Sequence, residues 1–294
     1  MWKTYTLVLI LFSVANAGIV VSIPDLKPLV EEIYGESVES ILPSNVDPHM
    51  FSLSYRDLEM AKKAKMLILA NSKLLGFEEE LKGLCNETLD FEDYEATILS
   101  FPGIGKNYHA YWLYPENGVK IALKVKEKLS SIFPENAEKY EKNFERFVHH
   151  LSKTERDAEK IVSKVKNYDF IAMDPHVAYA ISALKLNVSF VFPEEISPSI
   201  LEIPKKRGNC ILVMAEYQKG TKLEEVAKKL ASEMECGISV IDVLSNISYE
   251  SRLVLNAARL SNPQIVEREG FIVYLLGAIT VFEAVVIAIL WRLR

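Results

Sequence analysis

Three of the chain's five histidines stand directly after segments that read as β-strands. His49 closes Pro43-Ser-Asn-Val-Asp47-Pro48-His49, after a strand-like run at 37–42. His109 lies in Gly105-Lys-Asn-Tyr-His109-Ala-Tyr-Trp112, after a run at 97–101, and His176 in Met173-Asp174-Pro175-His176, after a strand ending at Met173. Asp174 and Asp242 occupy the same kind of position. In open α/β sheets the crevice outside the carboxyl ends of the strands is where ligands bind. Imidazole suits zinc and the iron-group metals, and a carboxylate adds hard-metal character and neutralises charge, so the five residues together point to a divalent cation. Each alone is also good capping or turn chemistry, Asp-Pro-His especially; only the joint placement carries the metal reading. His149 and His150 sit side by side among charged neighbours and read as a solvated helix face. No HExxH pair occurs, and no Ser or Cys is flanked by a plausible base, so metalloprotease and nucleophilic-enzyme signatures are missing.

The elements that must position these residues alternate. Strand-like runs at Ile19–Ile23, Ser37–Leu42, Met66–Ala70 and Thr97–Phe101 fill the first half, and Phe170–Met173, Val188–Phe192, Ile211–Ala215 and Ile238–Val243 the second. Amphipathic patterns such as Leu26–Tyr34, Tyr55–Ala64, Gly118–Ile132 and Lys222–Ser232 lie between them. Alternation of this kind predicts an α/β fold with parallel sheets and covering helices, here two lobes of roughly four strands each. From Pro134 to Val165 the chain has no internal Gly or Pro, and Tyr140, Phe144, Phe147 and Leu151 share one face. At about 1.5 Å per residue this is a rod of roughly 45 Å, fit to be a connecting spine or a long surface helix of one lobe.

Both ends carry apolar runs that no soluble domain needs. Met1-Trp2-Lys3, then apolar residues to Val14 and Ala15-Asn16-Ala17, read as a secretory signal cut after Ala17. Phe271 to Trp291, with Glu283 as its one charge and Arg292 and Arg294 behind it, is long enough to span a bilayer, and its basic tail belongs inside. The expected organisation is therefore a signal peptide at 1–17, an N-terminal α/β lobe at 18–133, a linking helix at 134–165, a C-terminal α/β lobe at 166–269 and a transmembrane anchor at 270–292. That makes a single-pass cell-membrane protein with its main domain outside. The net charge of −6 becomes −8 once the two ends, which sum to +2, are set aside, and so acidic a surface argues against nucleic acid as a partner. Cys85, Cys210 and Cys236 have no CxxC spacing; buried free thiols are the expectation, with a Cys210–Cys236 bridge as the alternative. Only two glutamines, Gln218 and Gln264, beside plentiful Lys and Glu hint at a thermophilic, archaeal source.

From roughly Gly18 to Leu260 the chain resembles the metal-binding subunits of zinc and manganese ABC importers, the group that includes the zinc-uptake periplasmic protein and streptococcal metal-receptor lipoproteins. The markers, in order, are Asp47-Pro48-His49, Tyr55-Arg-Asp57, Ala64-Lys-Met-Leu-Ile68, His109-Ala-Tyr-Trp112, Tyr114-Pro115-Glu116-Asn117, Pro134-Glu-Asn-Ala137 with Tyr140 and Asn143, Ile196-Ser197-Pro198-Ser199, Val213-Met-Ala-Glu216 and Ile241-Asp242-Val-Leu244. The resemblance implies two lobes joined by one rigid helix and four side chains holding the metal between them. Carried over, His49 and His109 are the first two ligands and Asp242 the fourth. The family's third ligand, a His or an acid, stands five residues before a tyrosine, which here is Asp174 before Tyr179; His176, two positions later, is the alternative. Asp174 would lean the site toward manganese and His176 toward zinc. Glu216 reads as an acid behind the ligands or one facing a partner. The partners implied are an ABC permease and its ATPase subunit, with the chain itself a monomer. The long His-rich loop of many zinc members is absent between Phe101 and His109, as is a lipobox cysteine, whose anchoring role would fall to the C-terminal span. A surface adhesion protein on the same scaffold, or a zinc hydrolase, are the competing functions; a hydrolase needs an open coordination position and a nearby base.

Overall fold

The computed structural model describes residues 18–44, 46–193 and 208–265. The expected signal peptide, the Ile196–Ser199 motif and the expected anchor fall outside the described residues. Among the described residues no helix is long and apolar enough to cross a membrane.

The first sheet is built on β1 (Ile19–Val21), whose three residues are all buried. Helix α1 (Leu26–Tyr34) follows it and ends at Gly35, whose left-handed backbone (φ 78°) returns the chain. Next come β2 (Glu39–Ser40), α2 (Tyr55–Lys63), β3 (Met66–Ile68), α3 (Gly76–Leu81) and β4 (Thr88–Leu89). Helix α2 opens on a reciprocal cap between Ser54 and Asp57. The strands lie in the order β2-β1-β3-β4, all parallel, which is the outcome of βαβ crossovers.

The fourth strand departs from the sequence reading. Thr97–Phe101 does not join this sheet; the place expected for it is taken by Thr88–Leu89. Instead β5 (Ser100–Phe101) folds back on β6 (Gly105–Lys106) as a separate two-stranded hairpin. Gly103 and Gly105, at φ 100° and 71°, make that turn. Gly103 also lets the hairpin dock on the other lobe, because a Cβ there would meet the Val191 carbonyl oxygen at 2.2 Å. Apolar, β-branched residues signalled a strand correctly but not its partner.

Helix α4 (Pro115–Ile132) leads into α5 (Ala137–Ile161), a 25-residue helix between two short 3₁₀ turns. Tyr140, Asn143, Phe147, Leu151 and Ala158 form its buried face, spaced as one stripe of a 3.6-residue period. That face packs against α1 and α4 and against α8 (Tyr249–Leu260), so α5 touches both lobes.

The second lobe contains β7 (Asp169–Ala172), α6 (Pro175–Ser182), β8 (Asn187–Val191), β9 (Cys210–Ala215), α7 (Lys222–Met234), β10 (Gly237–Ile241), α8 (Tyr249–Leu260) and β11 (Gln264–Ile265). Its order is β11-β10-β9-β7-β8, with β11 an antiparallel fifth strand at the edge. All six residues of β9 are buried, as a strand covered on both faces requires. The thiol expectation is corrected here: Cys210 and Cys236 form a disulfide, Cα atoms 4.8 Å apart, and only Cys85 is free. The reason is register. Gly237 pairs with Ile211 in parallel strands, so the residue before each lies side by side.

Candidate metal centre

Each of the three strand-end histidines is placed by the same local device. Asp47 opens the turn Pro48–Met50, and its Oδ1 accepts the His49 backbone N–H at 2.9 Å. Asn107 Oδ1 accepts the His109 N–H at 2.9 Å. Asp174 caps α6, and its Oδ1 accepts the His176 N–H at 2.7 Å. An Asp or Asn two residues before a histidine thus fixes the backbone that carries each ring, an Asx cap repeated three times. The pattern is legible as Asp-Pro-His, Asn-Tyr-His and Asp-Pro-His.

The three rings converge. Their centroids are 5.5 Å apart for His49 and His109, 6.1 Å for His49 and His176, and 5.1 Å for His109 and His176. Imidazoles bonded to one ion at about 2.1 Å have centroids roughly 5 Å apart at tetrahedral angles. The observed spacings are close to that figure and slightly wider. Among the described residues no group of three or more His, Cys, Asp or Glu side chains is arranged so that it could hold a metal ion.

Tautomers follow from the partners. His176 Nδ1 lies 2.7 Å from Asp174 Oδ1 and, as donor to that carboxylate, leaves the lone pair on Nε2. His109 Nδ1 faces Asn107 Oδ1 at 3.2 Å with the same consequence. The other Asp174 oxygen, Oδ2, accepts from the Tyr217 hydroxyl at 2.8 Å and Gln218 Nε2 at 2.9 Å. Burial pushes the Asp174 carboxyl up, but the His176 ring beside it, with the donors from His176 and Tyr217, wins and holds it below the usual range.

The lobes are tied through this centre. Asn107 Nδ2 donates to the Pro175 carbonyl at 2.8 Å, and Tyr179 donates its hydroxyl proton to the Asn107 carbonyl at 2.8 Å. Rings 109 and 176 are therefore registered to one another across the lobe boundary. Asp47, His49, Met50, Asp174, His176 and Tyr217 line a cleft of about 570 Å³.

Asp242 follows β10 with its backbone bracketed by Asn256, which accepts its N–H at 2.9 Å and donates to its carbonyl at 2.8 Å. Its Oδ1 accepts from Ser245 Oγ at 2.8 Å and stands 3.4 Å from Arg252 Nε. Glu216 pairs outward with Arg259 at 2.8 Å and Lys219 at 3.2 Å; the next two residues, Tyr217 and Gln218, are the ones that reach Asp174. Asn107, Tyr217, Gln218, Asp25 and Arg252 escaped the sequence reading. Asn107 alone had a local signal, its place two residues before His109.

Two α/β lobes on a common helix, with a histidine-lined cleft between them, define a two-lobed binding protein. The family model of the zinc-uptake complex component A, periplasmic, matches residues 19–262, and the chain belongs to that family. It is a family of binding proteins, not enzymes. The zinc-binding protein AdcA of Streptococcus pyogenes serotype M3 is 20% identical over 247 residues, covering 72% of this chain and 47% of that protein. The chain thus spans about half the length of the curated relatives it matches first. Among solved structures, a ZnuA deletion mutant with zinc bound superposes with a TM-score of 0.69 at 24% identity, over 85% of this chain and 99% of that one. A manganese-bound periplasmic metal-binding protein of Candidatus Liberibacter asiaticus gives 0.68 at 15% identity, over 83% and 98%. At these identities both likenesses establish the fold.

Proposed function

We propose that this chain captures a divalent transition metal, zinc in preference to manganese, between its lobes and hands it to an ABC-type permease driven by an ATPase subunit. The observation that carries the reading is the convergence of three imidazoles from separate strand ends at 5.1–6.1 Å, one of them oriented by a carboxylate. His49, His109 and His176 supply Nε2 donors, and Asp242 is the fourth ligand. Asp174 acts behind His176, since both its oxygens are already engaged by His176, Tyr217 and Gln218. Three nitrogens and one oxygen suit zinc better than manganese, which favours oxygen-rich sites. The names of the relatives, zinc-binding and manganese-bound, support the cargo class.

The organisation proposed is the one laid out in the sequence: lobes at 18–133 and 166–269 on the helix at 134–165, an export signal at 1–17 and a membrane anchor at 270–292 that keeps the lobes at the outer cell surface. The apolar runs and the basic tail support it. Calorimetry on the purified full chain tests the reading. One zinc ion per chain, bound more tightly than manganese and raising the melting temperature by mass action, is expected; no heat and no thermal shift with either metal refutes it.

A further inference from the structure

Asp25 and Asp242 belong to different lobes and share one cation. Asp25, the residue that opens α1, is fully enclosed. Its Oδ1 accepts the Ser245 backbone N–H at 3.0 Å and pairs with Arg252 Nη2 at 2.8 Å, and its Oδ2 accepts the Trp112 indole N–H at 3.0 Å. Arg252, 3% exposed on α8, also donates from Nη2 to the Ser245 carbonyl. Its Nε stands 3.4 Å from Asp242 Oδ1 and, like Nη1, makes no hydrogen bond among the described residues.

The guanidinium is thus drawn onto Asp25 and the Ser245 carbonyl and held just short of Asp242. A guanidinium released from such a hold would form a short two-pronged pair with the nearest carboxylate. That pair would occupy the oxygens a cation needs.

We infer that Asp25 is a positioning residue of the metal centre: by holding Arg252 from the opposite lobe, it keeps the Asp242 carboxylate available to the metal. The inference rests on Asp242 being the fourth ligand. Charge supports it. Two carboxylates around one guanidinium leave the cluster with a net negative charge, whereas an uncharged residue 25 leaves Arg252 and Asp242 as a closed, neutral, buried pair with no call for a cation.

The test compares the full chain with Asp25→Asn, Arg252→Gln, the double variant and Asp242→Asn, measuring zinc affinity by competition with a chelator. Asn at 25 keeps the size and an acceptor for Trp112. Asp25→Asn should weaken zinc binding roughly 10–100-fold, the usual loss on removing an outer partner, and adding Arg252→Gln should recover most of it. A merely structural Asp25 predicts the reverse, a double variant no better than Asp25→Asn. That result, or an Asp25→Asn affinity within about twofold of the natural chain, overturns the inference. Asp242→Asn separates the two readings: unchanged zinc affinity there removes Asp242 from the ligand set and the inference with it. Metal-free urea unfolding gives an independent readout. The coupling between positions 252 and 242 in a double-mutant cycle should rise roughly tenfold, as an equilibrium constant, in the Asp25→Asn background; unchanged coupling overturns the inference.

Discussion

Replacing His176 by alanine and Asp174 by asparagine, side by side, separates a ligand from the group that orients it. Zinc held by four protein ligands is bound by on the order of 10–16 kcal/mol, so one ligand accounts for roughly 3–4 kcal/mol and its loss weakens binding about 10²–10³-fold. Asp174 contributes differently. Its Oδ1 accepts from His176 Nδ1 at 2.7 Å and fixes the tautomer, while Tyr217 and Gln218 hold the carboxylate in place. Asparagine keeps the shape and loses the charge, and losses of such an orienting partner run about 10–100-fold, or roughly 1.4–2.7 kcal/mol. Competition titration against a chelator of known zinc affinity covers this range, and the melting temperature of each metal-free variant reports any loss of folding. His176→Ala is expected to be the weaker binder by about tenfold. If Asp174→Asn proves the more damaging of the two in a folded protein, the carboxylate is itself the third ligand, and the metal preference moves toward manganese.

Two further outcomes follow from buried groups. Burial raises Asp25 to about 6, against Arg252 and Trp112, and Glu78 to about 7, against hydrogen bonds from Ser22 and the Ala70 and Asn71 backbone. Each folded value lies above the unfolded one, so the stability each contributes is complete below about pH 4 and is lost as pH rises through about 6 and 7, by about 3 kcal/mol per group at most. The metal-free chain should therefore melt at a higher temperature at pH 5.5 than at pH 8, whereas zinc affinity, which needs neutral imidazoles, should rise over the same interval; parallel trends in calorimetry would contradict this. The Cys210–Cys236 bridge closes a loop of 26 residues in sequence separation, and its reduction should cost about 3–4 kcal/mol in urea unfolding. A midpoint unmoved by reductant would show that the bond contributes nothing to stability.

How far the sequence could be read depended on the range of the interaction. Strands with continuous apolar runs, such as Ile211–Ala215, and the long helix with its stripe at Tyr140, Phe147 and Leu151 announce themselves because period and composition are local. The histidines at 49, 109 and 176 are legible for the same reason: an Asx cap two residues upstream and a strand end are both written within a few positions. Partner choice is not local. Thr97–Phe101 has the composition of a sheet strand, yet Gly103 and Gly105 fold it into a hairpin whose tip fits only against Val191, far along the chain in the other lobe. The disulfide depends on the parallel register of β9 and β10, which no spacing of cysteines encodes.

The division of labour around the third ligand was undecidable for a further reason. Asp174 and His176 are two residues apart on the first turn of one helix, and either could face the cleft. What favours His176 in the proposed assignment is the pair of donors Tyr217 and Gln218, forty-three and forty-four residues later, which engage the Asp174 carboxylate. The same logic governs Asp242, whose neighbours Asp25 and Arg252 come from opposite ends of the folded chain. On the proposed assignment the ligating side chains are thus specified locally, while the groups that set their charge and orientation come from distant stretches of the chain, Tyr217, Gln218 and Arg252 within the same lobe and Asp25 from the other. That arrangement links metal affinity to how the lobes sit on one another. Asn107 makes the link concrete: it caps His109 with its oxygen and grips the Pro175 carbonyl, one residue before His176, with its nitrogen, so a rotation of one lobe that moves the two rings apart has to break that bridge. The proposed release of cargo to a permease would need such a linkage, since a ligand set carried wholly by one lobe would keep its geometry however the lobes moved.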